Sequence, residues 1–457
     1  MNSAPLARPV RLPLLILALI GIVALLPSPI NPSDTSMINS GDTAWMLTAT
    51  ALVLFMTPGV SFFYGGMVRR GSVVSTMLQS FIAMGIVSLL WIVYGFSLAF
   101  GTSVGGIIGN PTTFALMNNV GVQPNADFAG TIPFILFSLF QLKFAIITPA
   151  LITGAFAERV KFNSYMLFIV LFTTFIYCPL AHWTWHPEGF LRQWGVLDFA
   201  GGTVVHMSAG IAALVCAIFL GPRSSLDNNQ SDLPANIPYV LLGTGLLWFG
   251  WFGFNAGSAL GASSVAAQAF LTTNTASAAA MLGWIFFAMW RGQKPSALGA
   301  CIGAVVGLVA ITPAAGFVTV GQSMFIGIVS SIISNIAVSL RSRTDVDDTL
   351  DVFPCHGVGG IVGIIFTGLF AKDVGLVYGQ SSTFLSHLLA LVLVAGYVTI
   401  GTWVLLKVTN LFVPLRVSPE EEIVGLDMSQ HGEQMDSIHD PAIIQEVKIV
   451  EITKNVA

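Results

Sequence analysis

Two histidines set in apolar sequence are the residues best placed to do chemistry. Asp198-Phe-Ala-Gly-Gly-Thr-Val-Val-His206 and Asp348-Thr-Leu-Asp-Val-Phe-Pro-Cys-His356 each put an aspartate eight residues before a histidine, and the two copies lie 150 residues apart. An imidazole accepts at one nitrogen and donates at the other, so a pair of them can guide a small hydrogen-bonding molecule or shuttle a proton. Each is followed by small residues, Met207-Ser208-Ala209-Gly210 and Gly357-Val358-Gly359-Gly360, which let a helix or a small permeant come close. The plainer reading is that each histidine only bonds a neighbouring helix. A matched pair weakens it, because a repeat directs both side chains to one place. Asp198, just before Gly201-Gly202, reads as the cap of a helix start, and Asp351 reads the same way before His356. His182, beside Trp183 and Trp185 at the end of an apolar run, reads as an interfacial residue.

The elements that must hold these residues are membrane helices. Of 457 residues, 54% are hydrophobic and 9% charged, against roughly 25% charged in a soluble domain, so the chain cannot cover a water-facing surface. The 46 glycines suit close helix packing in lipid. A net charge of −4 argues against a nucleic-acid partner. The four cysteines sit in apolar stretches without disulfide or metal spacing and read as packing residues. No His-Glu-x-x-His occurs, and the Gly-x-Ser-x-Gly of Gly101 to Gly105 closes an apolar helical run instead of joining a strand to a helix, so an enzyme lacks its nucleophile or metal motif.

Residues 1–30, with Arg8 and Arg11 before the short run Leu12–Leu26, have the anatomy of a signal peptide; an uncleaved extra helix is the alternative. Beyond them, apolar runs predict eleven transmembrane helices near 43–64, 73–101, 130–156, 164–184, 199–220, 236–259, 265–290, 296–313, 319–340, 355–371 and 382–412. The breaks after the odd-numbered helices hold nine Lys and Arg residues and the intervening breaks hold two, which places the N-terminal end outside and the C-terminal end inside. An offset of five helices between the histidine motifs reverses orientation, so they predict an inverted five-plus-five repeat with a final long helix, and a site near the midplane. The expected fold class is an all-α integral membrane protein with a transmembrane domain over 41–413. The charged segment 414–457 reads as a cytosolic tail, either flexible or a regulatory contact arm.

Six stretches in order then resemble the ammonium transporter (Amt/Mep/Rh) family on its Amt side. They are Met56 to Met67, Ile147 to Arg159, Asp198 to His206, Gly250 to Ser258, Val352 to Gly363 and Gly425 to Glu433. The resemblance implies ammonium or ammonia as cargo, with methylammonium as an analogue, in a plasma-membrane homotrimer that needs no cofactor and serves nitrogen uptake. It also implies that a PII-type signal protein could bind the cytosolic face. Carried over residue by residue, the resemblance assigns an outer ammonium site to Phe144, Trp185 and Ser258, with Asp198 the buried acid nearby. Phe144 and Phe254 would stack as a gate, His206 and His356 line the pore, and Phe63 and Val352 line its inner half. The Rh-like alternative is a channel for neutral ammonia or carbon dioxide, and a further alternative is an ammonium sensor. Lys143, a basic residue inside a span, fits neither and would oppose a cation if it faced the pore.

Overall fold

The computed structural model describes residues 11–23, 25, 37–224 and 233–435. Helix α1 (Arg11–Val23) is mostly exposed, and apart from it and residue 25 the 1–30 segment lies outside the described residues, as does the tail beyond 435. The bundle proper is α2 (Ser40–Met67), α3 (73–100), α4 (Phe134–Phe156), α5 (162–185), α6 (Gly202–Leu220), α7 (Ile237–Gly257), α8 (Ser264–Trp290), α9 (Ala297–Ile311), α10 (Val320–Arg341), α11 (Phe353–Phe370) and α12 (Ser381–Phe412). All eleven predicted runs fold as helices, and among the described residues ten are long and apolar enough to cross a membrane. The exception is α9, whose 15 residues rise about 22 Å, short of a ~30 Å hydrocarbon core. The chain is thus a multi-pass membrane protein.

Successive helices run alternately between two faces. One face carries the long loops, including a hairpin of β1 (Ser103–Val104) and β2 (Ile108–Gly109). The other carries the C-terminal tail, where α13 (Pro419–Val424) folds back on the bundle. Local sequence sets the ends. Asn39 caps α2 by accepting from Asp42 N, and Pro133 immediately precedes α4, so that helix begins at 134 rather than at 130. Pro58 and Pro149 lie inside α2 and α4 without breaking them, as expected where neighbouring helices support the backbone.

Small residues let the helices approach. A methyl group on Gly253 of α7 would come 2.7 Å from Ala49 O of α2, so these helices pack backbone against backbone. Helices α4 and α6 are the most enclosed, while α8 and α12 present mostly exposed apolar side chains, as lipid-facing elements do. All four cysteines are buried and free.

A membrane-embedded site of two histidines beneath an aromatic pair

The two histidines meet, and the way each is delivered is the same. Helix α6 starts at the loop face and α11 at the tail face, and each begins with a π-helical turn, Gly202–Met207 and Phe353–Gly357, that holds its histidine. Both turns are capped by the aspartate eight residues before. Asp198 accepts from Gly201 N, Gly202 N, Thr203 N and Thr203 Oγ1 at 2.5–2.8 Å, and Asp348 accepts from Val352 N at 3.1 Å and Phe353 N at 2.7 Å. The capping expected of Asp351 therefore falls to Asp348. Asp351 instead takes a positive φ of 56° and pairs with Arg341 at 2.8 Å.

His206 Nδ1 lies 3.4 Å from His356 Nδ1, at the long end for a hydrogen bond, and the rings are 5.5 Å apart and nearly parallel at 23°. For these nitrogens to bond, one carries the hydrogen and the other accepts, so the two rings take complementary tautomers. His206 Nε2 is buried without a partner. Trp251 stacks on His206 at 5.3 Å and 18°, and its Nε1 donates to Thr312 Oγ1 at 2.9 Å, fixing that ring against the helix turn beyond α9. The close approach needs glycine: a Cβ on Gly210 would run into the backbone of Gly357. Between the rings and Phe63, Tyr64 and Val60 is an enclosed cavity of about 10 Å³, the room that one water-sized molecule occupies.

Toward the loop face the rings give way to aromatics. Phe254 lies 5.9 Å from His206 and stacks on Phe144 at 4.2 Å, and Phe144 meets Trp185 edge-on at 5.8 Å. Phe144 also lines a vestibule of about 450 Å³ with Trp185, Asp198, Ser258, Gln141 and Thr184. The phenyl pair thus separates this vestibule from the histidine cavity. Trp185 Nε1 donates to Asp198 O at 3.0 Å, and Ser258 donates its hydrogen to Phe254 O at 2.8 Å, which leaves the Ser258 oxygen as an acceptor.

Most of the predicted residues therefore come together. Phe144, Trp185, Ser258 and Asp198 share the vestibule, Phe254 lies beneath it, and His206, His356 and Phe63 border the inner cavity. Val352 is buried at the start of α11 against Gly154 and Tyr64 and does not border that cavity. His182 is not interfacial. It is fully buried, with Nδ1 3.0 Å from Ala99 O and Nε2 2.9 Å from Ser103 Oγ, and so ties α5 to the first strand of the hairpin. Lys143 is buried at 7% exposure and borders neither cavity. Sequence reasoning missed Trp251, although it sits inside the Gly250 to Ser258 stretch, and missed Tyr64, whose hydroxyl donates to Leu151 O at 2.9 Å.

The tail face is held by ions. Glu158 pairs with Arg69 at 2.6 Å and Arg223 at 2.9 Å, and Arg223 pairs with Asp347 at 2.8 Å. Burial raises the Glu158 carboxyl, but Arg223 and Arg69 outweigh it and hold the group below its ordinary range. Asp427 in the tail accepts from Val74 N at 3.0 Å and Ser75 N at 2.7 Å, capping the start of α3.

The chain is similar to known proteins over most of its length. The profile of the Ammonium Transporter Family matches residues 44–436. A putative ammonium transporter of Methanothermobacter thermautotrophicus is 49% identical over 407 residues, covering 87% of this chain and 98% of its own. The crystal structure of Candida albicans Mep2 superposes with a TM-score of 0.80 at 35% identity, covering 85% of this chain and 88% of that one. A sensor Amt protein superposes with a TM-score of 0.79 at 30% identity, over 86% and 98%. The chain belongs to the ammonium transporter family.

Proposed function

We propose that this protein conducts ammonium across the membrane by recruiting the ion in the vestibule, passing one of its protons to the imidazole pair, and conducting ammonia between His206 and His356 while the proton is relayed along the same rings, so that charge crosses with the cargo. The observation that carries this reading is the stacked pair Phe144 and Phe254 standing between a vestibule with an acid and π faces and an enclosed cavity with room for one small molecule. Two aromatic faces, Phe144 and Trp185, attract a cation by up to about 2 kcal/mol when desolvated. Asp198 has its carboxylate oxygens filled by four donors, so it acts through its charge rather than as a ligand. Past the phenyl pair an intact cation would forfeit hydration worth many kcal/mol, whereas neutral ammonia keeps hydrogen-bonding partners in the imidazoles. Potassium can neither shed a proton nor donate a hydrogen bond, and is excluded.

In this reading the matched deliveries of His206 and His356 are the two halves of an inverted repeat, the loop face is outside and the tail inside. Val352 keeps its place in the inner half as a wall behind Tyr64 rather than a lining residue. A homotrimer and a PII-type partner on the tail face belong to the same reading and rest on family membership alone.

The test is a solid-supported-membrane current from proteoliposomes given ammonium. A transient is expected, with the half-saturating concentration raised about fivefold or more by Trp185→Leu. Ammonia equilibrating faster than through empty liposomes, with no current, would instead mean a neutral gas channel.

A further inference from the structure

Two residues that line the vestibule each carry a buried oxygen with no hydrogen-bond partner: Gln141 Oε1 and Thr184 Oγ1. Gln141 is 9% exposed and Thr184 4%, and both residues line the same cavity as Phe144, Trp185 and Ser258. They stand on different helices, Gln141 one turn before Phe144 on α4 and Thr184 directly before Trp185 on α5. Buried polar oxygens are rarely left unpaired, because each one costs stability that a partner would return. Here two lie in one small wall, beside a Ser258 oxygen whose own hydrogen is already given to Phe254 O.

We propose that Gln141 and Thr184 are ligands of the permeant cation, and that with Ser258 they form a three-acceptor set that makes the vestibule prefer ammonium to methylammonium. The proposal rests on the ammonium reading above and adds to it the groups that recognise the N–H bonds. Ammonium has four N–H donors in a tetrahedral array. Three can be accepted by the Ser258, Gln141 and Thr184 oxygens while the ion rests against the faces of Phe144 and Trp185. Methylammonium has three donors and a methyl group, so fewer of its orientations satisfy all three oxygens, and those that do fix where the methyl must go. Ammonium fills the three acceptors with any three of its four N–H bonds, whereas methylammonium must use all of its donors and so pays more in lost orientational freedom and in the fixed place of its methyl group. Replacing one acceptor by an apolar group of the same shape takes a bond from ammonium, while methylammonium can turn its methyl to that wall.

The experiment measures peak current against concentration for ammonium and for methylammonium in proteoliposomes, with wild type, Thr184→Val, Gln141→Met and Thr184→Ser. Each of the first two is expected to raise the half-saturating ammonium concentration about fivefold and that of methylammonium less than about twofold, the loss of one hydrogen bond. Thr184→Ser, which keeps the hydroxyl, is expected to retain the wild-type ratio of the two. Because Thr184 and Gln141 sit on different helices, one variant that fails to fold leaves the other as the test. Equal shifts for both cations, or none, with a saturable wild-type response, overturn the ligand assignment and leave ammonium transport standing. A wild type that responds to neither cation overturns the transport reading itself.

Discussion

His206 Nδ1 approaches His356 Nδ1 to 3.4 Å across 150 residues of sequence, from helices that enter the bundle at opposite faces. The contact exists because both helices bring the ring in on a π-helical turn capped by an aspartate, and because Gly210 leaves the backbone of Gly357 room to pass. Such a pair is costly to hold in a lipid-embedded core, which marks it as a candidate functional site.

Trp251 is the brace of this pair. Thr312→Val removes the acceptor of its indole N–H in a buried site, at an expected cost of about 1–3 kcal/mol. A lower melting temperature of the detergent-solubilised protein, together with a reduced ammonium current, checks it; a wild-type melt and current would show that the ring needs no such anchor.

Gly210→Ala is expected to prevent the two turns from meeting, because the added methyl falls on the Gly357 backbone and neither helix end can yield. Gly85→Ala, on α3 where nothing lies within 4 Å, is the control and should change stability by less than about 1 kcal/mol. Size-exclusion profiles and melting curves of the two variants decide the matter.

Acid should loosen the tail face first. Glu158 and Asp347 are buried, which raises them, yet their arginine partners outweigh burial and leave both below the ordinary carboxylate range. A carboxylate depressed in the folded state stabilises above its unfolded pKa and loses that contribution as pH falls through the folded value. Melting temperature should therefore drop from about pH 4 downward, and Glu158→Gln should lower stability at neutral pH while flattening that acid limb. An unchanged limb in the variant would remove Glu158 as its cause.

Asp427→Ala takes away the side chain that accepts from Val74 N and Ser75 N, a cap worth about 0.5–2 kcal/mol. Limited proteolysis should then cut within 419–435 faster than in wild type, and an unchanged cleavage rate would mean that Glu422 and the neighbouring contacts hold the tail without it.

Much of this was legible in the chain. Long apolar runs marked the helices, and the Asp–His spacing marked the two residues that meet, because a lipid-embedded histidine stands out against aliphatic neighbours. Local cues misled where tertiary contacts decide. The apolar run of α9 reads on to 313, but Pro313 ends the helix at Ile311, and Asp351 looked like the cap until Arg341 claimed it and Asp348 took the role. His182 looked interfacial because of its tryptophans, but the hairpin that buries it is made of Gly- and Thr-rich loop with no periodicity to read. Trp251 was hidden in a helix whose residues are mostly apolar or glycine, so only the three-dimensional stacking singles it out.

The most direct test of the central claim is the ammonium-evoked current of wild type against the His206→Ala/His356→Ala variant, with potassium as the control ion. The account predicts a wild-type transient that potassium does not evoke and that the double variant loses or reduces at least about tenfold, in keeping with the loss of proton-handling groups. An undiminished current in the double variant, still selective against potassium, would contradict it and move the selective step to the vestibule alone.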